Sequence, residues 1–248
     1  MPQTAKLVEA RNLNPFTRLL KFQTSEPVNF VGGNWVMVNS GLTTAEGKPA
    51  KRAYSIISPD SNQNEFMLIV REITGGLASK HLHGIEPGDG IEWSGPYGKI
   101  FKLQDGDTGP ILIVATDTGI TAALGIVRGA QAQPLLGKIR LIWLVENDSY
   151  FVSADFVREI LPAGLGRFEV HSIPDAKEVW GRTEAARAAI TPELVVERPA
   201  LVFLSGDGNI IQALSDVCQV QGVDAAQIRV EPFFNAEKKK PSPGIPQS

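Results

Sequence analysis

Asp105-Gly-Asp-Thr-Gly-Pro110-Ile-Leu-Ile-Val-Ala115-Thr-Asp-Thr-Gly119 is the stretch at which the chain changes pattern. Glycines, aspartates and a proline interrupt whatever precedes them. Residues 111–115 are then apolar without alternation, which is how a strand buried on both faces reads. Small polar residues and a glycine follow, and apolar residues recur at helical spacing over 120–130. The cycle repeats downstream: strand patterns at 139–145, 168–172 and 200–204 are followed by helical ones at 153–160, 184–195 and 209–219. Apolar strands alternating with amphipathic helices predict βαβ units and a parallel sheet covered on both sides. Thr191-Pro192-Glu193 reads as an N-cap before a proline at the first helical position, so a helix start is expected there.

Upstream the pattern differs. Residues 6–11, 17–22, 34–38, 52–57, 65–70 and 90–93 are short apolar-rich runs separated by Gly, Pro, Asn and Ser, a spacing typical of a sandwich or barrel. In this half only 77–82, after Gly75-Gly76, reads as helix. The expected fold is an N-terminal antiparallel Greek-key β-barrel over 1–104, then a doubly wound parallel α/β domain over 105–235. A flexible, solvated tail is expected over 236–248, where apolar periodicity is absent.

Composition narrows the class. With 43% hydrophobic and 21% charged residues in 248, the chain has the balance of a soluble globular protein. A net charge of -3 offers no basic footprint for nucleic acid. The single cysteine, Cys218, excludes a disulfide framework or a cysteine-ligated cluster within the chain. Its apolar helical context reads as a buried thiol. No metal is expected from His81, His83 and His171, which lack ligand spacing. No run approaches a membrane span, so a cytoplasmic protein without membrane insertion is expected.

Two stretches carry chemistry. Arg52-Ala53-Tyr54-Ser55 places a cation, an aromatic ring and a hydroxyl within four residues of a strand. Alternation sends Arg52 and Tyr54 to one face and Ser55 to the other. Such a segment can hold a flat conjugated ligand and a phosphate, although a half-buried strand with a surface Arg has the same local pattern. Gly75-Gly76-Leu77-Ala78-Ser79 leaves a strand and opens a helix, where free amides and the helix dipole attract phosphate. Ser79 can cap that helix or donate to the same anion.

Taken with Gly95-Pro-Tyr-Gly98, these motifs resemble the ferredoxin-NADP reductase family, in the family's order and across residues 6–234. The resemblance implies an FAD-binding barrel in which Arg52 meets the pyrophosphate, Tyr54 packs on the flavin and Ser55 approaches flavin N5. It also implies FAD contacts from Ala53, Leu68, Val70, Gly75, Gly76, Leu77, Ala78, Ser79, Thr118 and Phe234. NADPH or NADH is expected at Thr116, Asp117, Thr118, Gly119, Glu146, Arg182, Gly206 and Asp207, with Ser55 and Ser205 in catalytic positions.

The nucleotide half departs from the family pattern. Asp117 stands where a glycine is usual, and Thr121 and Ala122 replace Ala and Pro. The Asp117 carboxylate can occupy the helix's anion site, or Asp117 can serve simply as a cap. Val145-Glu-Asn-Asp148 is acidic, which suits a free ribose 2′-hydroxyl better than a 2′-phosphate. Arg182 remains as a candidate phosphate clamp or an ordinary surface Arg. Ser205 replaces the usual Cys, and Glu231-Pro-Phe-Phe234 matches an aromatic segment over the flavin, with core packing as the alternative for the two Phe rings.

The implied function is an FAD-dependent oxidoreductase exchanging hydride between NAD(P)H and flavin N5 and single electrons with ferredoxin or flavodoxin. That partner is a separate chain, and the protein is expected to be a monomer or weak oligomer. Two alternatives stand: the reductase component of an oxygenase, and a flavin-binding electron-relay subunit without productive nicotinamide binding.

Overall fold

The computed structural model describes residues 3–147, 150–175 and 178–234, except the side chain of Phe234. Asp148 and the expected tail at 236–248 lie outside the described residues.

Six antiparallel strands form the first half: β1 (Gln3–Asn14), β2 (Thr17–Gln23), β3 (Trp35–Thr43), β4 (Pro49–Ser55), β5 (Glu65–Arg71) and β6 (Gly90–Tyr97). Their order, β4-β3-β6-β1-β2-β5, inserts β6 between β3 and β1 in Greek-key fashion. Alternate residues fill the interior, among them Leu7, Leu20, Phe22, Val36, Phe66, Leu68, Val70 and Trp93. Helix α1 (Leu77–Gly84) lies between β5 and β6 in sequence. Its last carbonyls have no partner within the helix. Buried Arg18 supplies one, its Nη1 donating to the carbonyls of Leu82, His83 and Ile85 at 3.3, 2.8 and 2.9 Å.

The second half is a parallel sheet of β7 (Ile111–Thr116), β8 (Ile139–Val145), β9 (Arg167–Ser172), β10 (Leu201–Asp207) and β11 (Ile228–Phe234), ordered β11-β10-β7-β8-β9. Helices α2 (Ile120–Arg128) and α3 (Ala154–Ile160) cover one face, and α4 (Val179–Val196) and α5 (Gly208–Val220) the other. This is the expected doubly wound arrangement. Strand β11 is an addition: Glu231-Pro-Phe-Phe234 belongs to an edge strand, where a proline without an amide hydrogen is tolerated.

One expectation fails. Thr191-Pro192 does not start a helix but lies inside α4. Ala186, Ile190 and Leu194 recur at four-residue spacing and pack on the sheet, and that burial outweighs the proline's lost hydrogen bond. The Thr191 hydroxyl donates to the Arg187 carbonyl at 2.7 Å instead of capping. Arg140 then holds the helix end, donating to the Glu193 carbonyl at 3.0 Å and the Glu197 carbonyl at 2.6 Å.

The two halves share a core. Leu19, Ile57 and Ile69 of the barrel side pack in one cluster with Ile113, Ala123 and Ile126. Helix α2 approaches so closely that a Cβ on Gly125 would lie 2.6 Å from the Ile56 carbonyl oxygen. Arg128 Nη1 donates to the Ile57 carbonyl at 2.9 Å, and Asp60 accepts from the Ala130 amide at 2.8 Å. These contacts fix the C-terminal half of α2 relative to the segment that follows β4. Cys218 is buried in α5, and burial pushes its thiol up to about 11. No helix among the described residues is long and apolar enough to cross a membrane.

Candidate active site

The site begins at the edges of the barrel sheet. Strands β4 and β5 are its two end strands. The curled sheet closes beyond β4, where the Ile57 amide donates to the Met67 carbonyl at 3.0 Å and the Met67 amide reaches Ser58 Oγ at 3.2 Å. Above that closure is a seam. The Ile56 amide donates to Asn34 beside β3 at 3.0 Å, so even-numbered residues of β4 face β3 and the odd-numbered Ala53 and Ser55 present main-chain groups to the seam. On β5 the Glu72 amide donates toward β2, to the Phe16 carbonyl at 2.8 Å. By the same alternation Ile69 and Arg71 line the opposite side.

This corrects the expectation for Leu68 and Val70. Their side chains are wholly enclosed in the barrel and their main-chain groups face β2, so they form the wall behind the seam. Chain alternation can be read from sequence, but which parity faces an open edge depends on the partner strand.

Tyr54 packs half-buried against the barrel core opposite Val36, and Arg52 is exposed at the mouth opposite Val38. Burial pushes the Tyr54 phenol up to about 12, with the nearby Arg52 charge pulling the other way. Ser55 is buried on the opposite face of β4, beside Trp35. The N-cap of α1 is Gly76, with no side-chain cap. Ser79 neither caps nor faces outward: its hydroxyl accepts from the Ile73 amide and donates to the Gly76 carbonyl, both at 3.1 Å. It closes the turn that presents the first-turn amides of Leu77, Ala78 and Ser79, which have no intrahelical acceptor.

A second region lies at the carboxyl ends of the parallel strands, where the strand order reverses between β7 and β10. Crevices at such reversals bind ligands in open α/β sheets. A 3₁₀ turn, Asp117–Gly119, follows β7. It is locked to β10: the Asp207 amide donates to Thr116 Oγ1 at 2.7 Å and Ser205 Oγ donates to the Gly119 carbonyl at 3.0 Å. A Cβ on Gly119 would lie 2.5 Å from the Ser205 carbonyl oxygen, and one on Gly206 would lie 2.2 Å from Thr116 Oγ1. Glycine is therefore required at both positions. Ser205 is fully buried, so its hydroxyl serves this junction rather than facing an open cleft.

Asp117 adopts φ +48°, a left-handed conformation in the position where the family pattern has glycine. Trp143 Nε1 donates to its carbonyl at 2.9 Å. Its carboxylate is not a helix cap. Asp117 Oδ2 accepts a hydrogen bond from Arg182 Nη2, and Arg182 Nη1 donates to the Pro174 carbonyl at 2.7 Å. Arg182 is 2% exposed and Asp117 5% exposed, so Arg182, expected as a phosphate clamp or an ordinary surface Arg, is instead half of a buried ion pair. Burial pushes the Asp117 carboxyl up, and Arg182 opposes that shift.

Beyond β8 lies a groove of about 410 Å³ lined by Glu146, Ser153, Arg158 and Ser172. Ser172 Oγ donates to the Glu146 carbonyl at 3.2 Å, and Ser153 caps α3 by accepting from the Phe156 amide at 3.2 Å. Arg158 pairs with Asp155 at 2.9 Å on the surface. Thr118 sits in the turn after β7, and Phe234 lies opposite Asp207 in the β10–β11 register.

Sequence reasoning missed one bridge between the regions. The Arg71 guanidinium lies 4.1 Å from the centre of the Tyr150 ring, and Asn14 Nδ2 donates to the Phe151 carbonyl at 2.7 Å. The segment after β8 thus docks on the barrel beside the seam. Its sequence signals were faint: an arginine ending an apolar strand, and a tyrosine beyond a strand end. Among the described residues no group of three or more His, Cys, Asp and Glu side chains is placed to hold a metal ion.

Residues 4–101 match the family described as the oxidoreductase FAD-binding domain. Across 246 residues the chain is 37% identical to ferredoxin–NADP reductase B of Sorangium cellulosum, covering 94% of this chain and 98% of that one. The chain belongs to the ferredoxin–NADP reductase family. It is 26% identical over 225 residues to the reductase component of the naphthalene 1,2-dioxygenase system of Pseudomonas putida, covering 88% of this chain but 64% of that relative. Among solved structures, a cytochrome P450 reductase of Amycolatopsis superposes with a TM-score of 0.73 at 23% identity, over 94% of this chain and 70% of that one. The last likeness concerns the fold. As a ferredoxin–NADP reductase family member the protein is an FAD-dependent oxidoreductase that works with NAD(P)H.

The residues present fit FAD. The seam offers main-chain donors and acceptors to a flat ring edge, Tyr54 offers an aromatic face beside it, and Arg52 with the first-turn amides of α1 offers positive charge to a diphosphate.

Proposed function

We propose that the barrel seam between β4 and β5 holds FAD, that NAD(P)H docks at the carboxyl ends of β7, β8 and β10, and that a separate one-electron carrier, ferredoxin or flavodoxin, completes the cycle. The observation that carries this reading is the seam itself, with the main-chain groups of Ala53 and Ser55 facing those of Ile69 and Arg71 beside Tyr54. FAD held there would supply the redox chemistry, coupling two-electron exchange with NAD(P)H to one-electron exchange with the carrier.

The chain's residues bind and orient. Arg52 and the α1 amides take the diphosphate; Tyr54, neutral through the physiological range, packs on the ring; Ser55, buried at the end of β4 next to the residue that meets Gly125 of α2, holds a hydroxyl at that junction. Arg71 is a half-buried cation between seam and crevice, placed to meet the nucleotide's phosphates. Hydride transfer needs ring alignment rather than a general acid or base. The tightly shared core supports a fixed approach of the two rings.

Glu146 in the groove beyond β8 supports NADH as the preferred donor, because a carboxylate at this strand end accepts from a ribose 2′-hydroxyl and repels a 2′-phosphate. A second reading, the reductase of an oxygenase system, is supported by the dioxygenase relative and differs only in the electron acceptor. Anaerobic mixing of FAD-loaded protein with NADH and with NADPH, followed by addition of ferredoxin or flavodoxin, tests the proposal. Flavin bleaching and then carrier reduction are expected. Yellow protein that neither nucleotide bleaches would leave the relay reading in its place.

A further inference from the structure

We infer that the buried Asp117–Arg182 pair is a specificity-determining element of the nucleotide crevice, an internal ion pair that withholds Arg182 from phosphate and turns the chain against nucleotides carrying a 2′-phosphate. The inference rests on the reading that NAD(P)H docks at this edge of the sheet.

The two residues are 65 positions apart, and the fold brings them together at the first turn after β7. Asp117 is held there by its backbone as well as its side chain. Its left-handed φ and the hydrogen bond from Trp143 fix where the carboxylate points. That carboxylate lies between the β7 turn and the end of β8, near enough to the Glu146 amide for the amide to favour its ionised form.

Arg182 is the partner the carboxylate neutralises. Its Nη2 is bound to Asp117 and its Nη1 to Pro174, while Nε has no acceptor among the described residues. The guanidinium is therefore a buried cation with an unused donor. With Asp117 and Arg182 cancelling, and Arg158 paired with Asp155 in the groove, the charges left near this turn among the described residues are acidic at Glu146 and Asp207 against the cation Arg71 beside Tyr150, a net negative balance. Such a field disfavours a phosphate dianion and tolerates a neutral ribose.

Removing the carboxylate reverses the balance. An uncompensated buried cation is strongly unfavourable, so Arg182 will recruit an anion from solution. Asp117→Gly suits the backbone, because glycine takes positive φ without strain. Asp117→Asn removes the charge while preserving shape.

The test is calorimetric titration of the FAD-loaded protein with 2′,5′-ADP and with 5′-AMP. Asp117→Gly and Asp117→Asn are expected to tighten 2′,5′-ADP about tenfold or more, one charge-assisted hydrogen bond's worth, while 5′-AMP changes by less than about threefold. The double variant Asp117→Gly/Arg182→Ala is expected to lose the gain, which assigns it to Arg182. If Asp117→Gly does not fold, Asp117→Asn decides alone. An unchanged preference between the two fragments in folded variants would overturn the inference and leave the docking reading intact. Binding of neither fragment to wild type or variants would overturn both.

Discussion

Arg71 at the end of β5 lies over the ring of Tyr150, 4.1 Å from its centre, and so joins the barrel edge to the segment that follows β8. A cation over an aromatic face at a partly buried site contributes about 1 kcal/mol. Tyr150→Phe keeps the ring and Tyr150→Ala removes it. The KM for NADH is expected to stay within about twofold in the first and to rise roughly fivefold in the second, with kcat changed less. Steady-state kinetics of both variants check this. An equal loss in the two would assign the effect to the hydroxyl instead.

Ser55 is buried where β4 meets α2 and not at the exposed mouth beside Arg52. Ser55→Ala should slow flavin reduction by roughly tenfold, the worth of one hydrogen bond in a buried site, while FAD retention changes little. Anaerobic stopped-flow and an FAD titration separate the two quantities. Equal losses in both would place Ser55 among the binding residues only.

Tyr54 carries a pH signature. Burial holds its phenol up at about 12, against an ordinary value of 10. The folded state therefore keeps a proton that the unfolded state loses first. This contribution to stability is complete below about pH 10 and is lost as pH rises toward 12. Denaturant midpoints across this window should fall more steeply for wild type than for Tyr54→Phe, and parallel curves would mean that the phenol is solvated.

Gly125 sets the distance between α2 and the barrel. With the added Cβ only 2.6 Å from the Ile56 carbonyl oxygen, Gly125→Ala must push helix and barrel apart. A loss of about 1–3 kcal/mol, as for other overpacked contacts, is expected in urea unfolding. A loss below about 0.5 kcal/mol would show that the interface yields freely.

The two fold classes were legible because each half is punctuated differently, with short apolar-rich runs such as 17–22 and 65–70 set between Gly, Pro, Asn and Ser in the first, and apolar runs at 111–115 and 141–145 alternating with helical periodicity in the second. Pro192 was misread because local capping chemistry pointed one way and the burial of Ala186, Ile190 and Leu194 the other. The alternation of Arg52 and Tyr54 on one face of β4 and Ser55 on the other was legible. The opposite wall of the seam was not, since choosing Ile69 and Arg71 over Leu68 and Val70 requires knowing which side of β5 its neighbour occupies. Pairings across long separations, Asp117 with Arg182 and Arg71 with Tyr150, leave no local mark. Each residue alone read as a cap, a clamp, a strand end or a loop.

The central claim is that the seam beside Tyr54 holds the isoalloxazine ring, with the diphosphate at Arg52 and the start of α1. Titrating flavin-free protein with FAD while following flavin fluorescence tests it most directly. Saturable quenching at one FAD per chain, weakened in Arg52→Ala, is the predicted result. Protein that stays colourless and leaves FAD fluorescence unchanged, or quenching indifferent to Arg52, would contradict it.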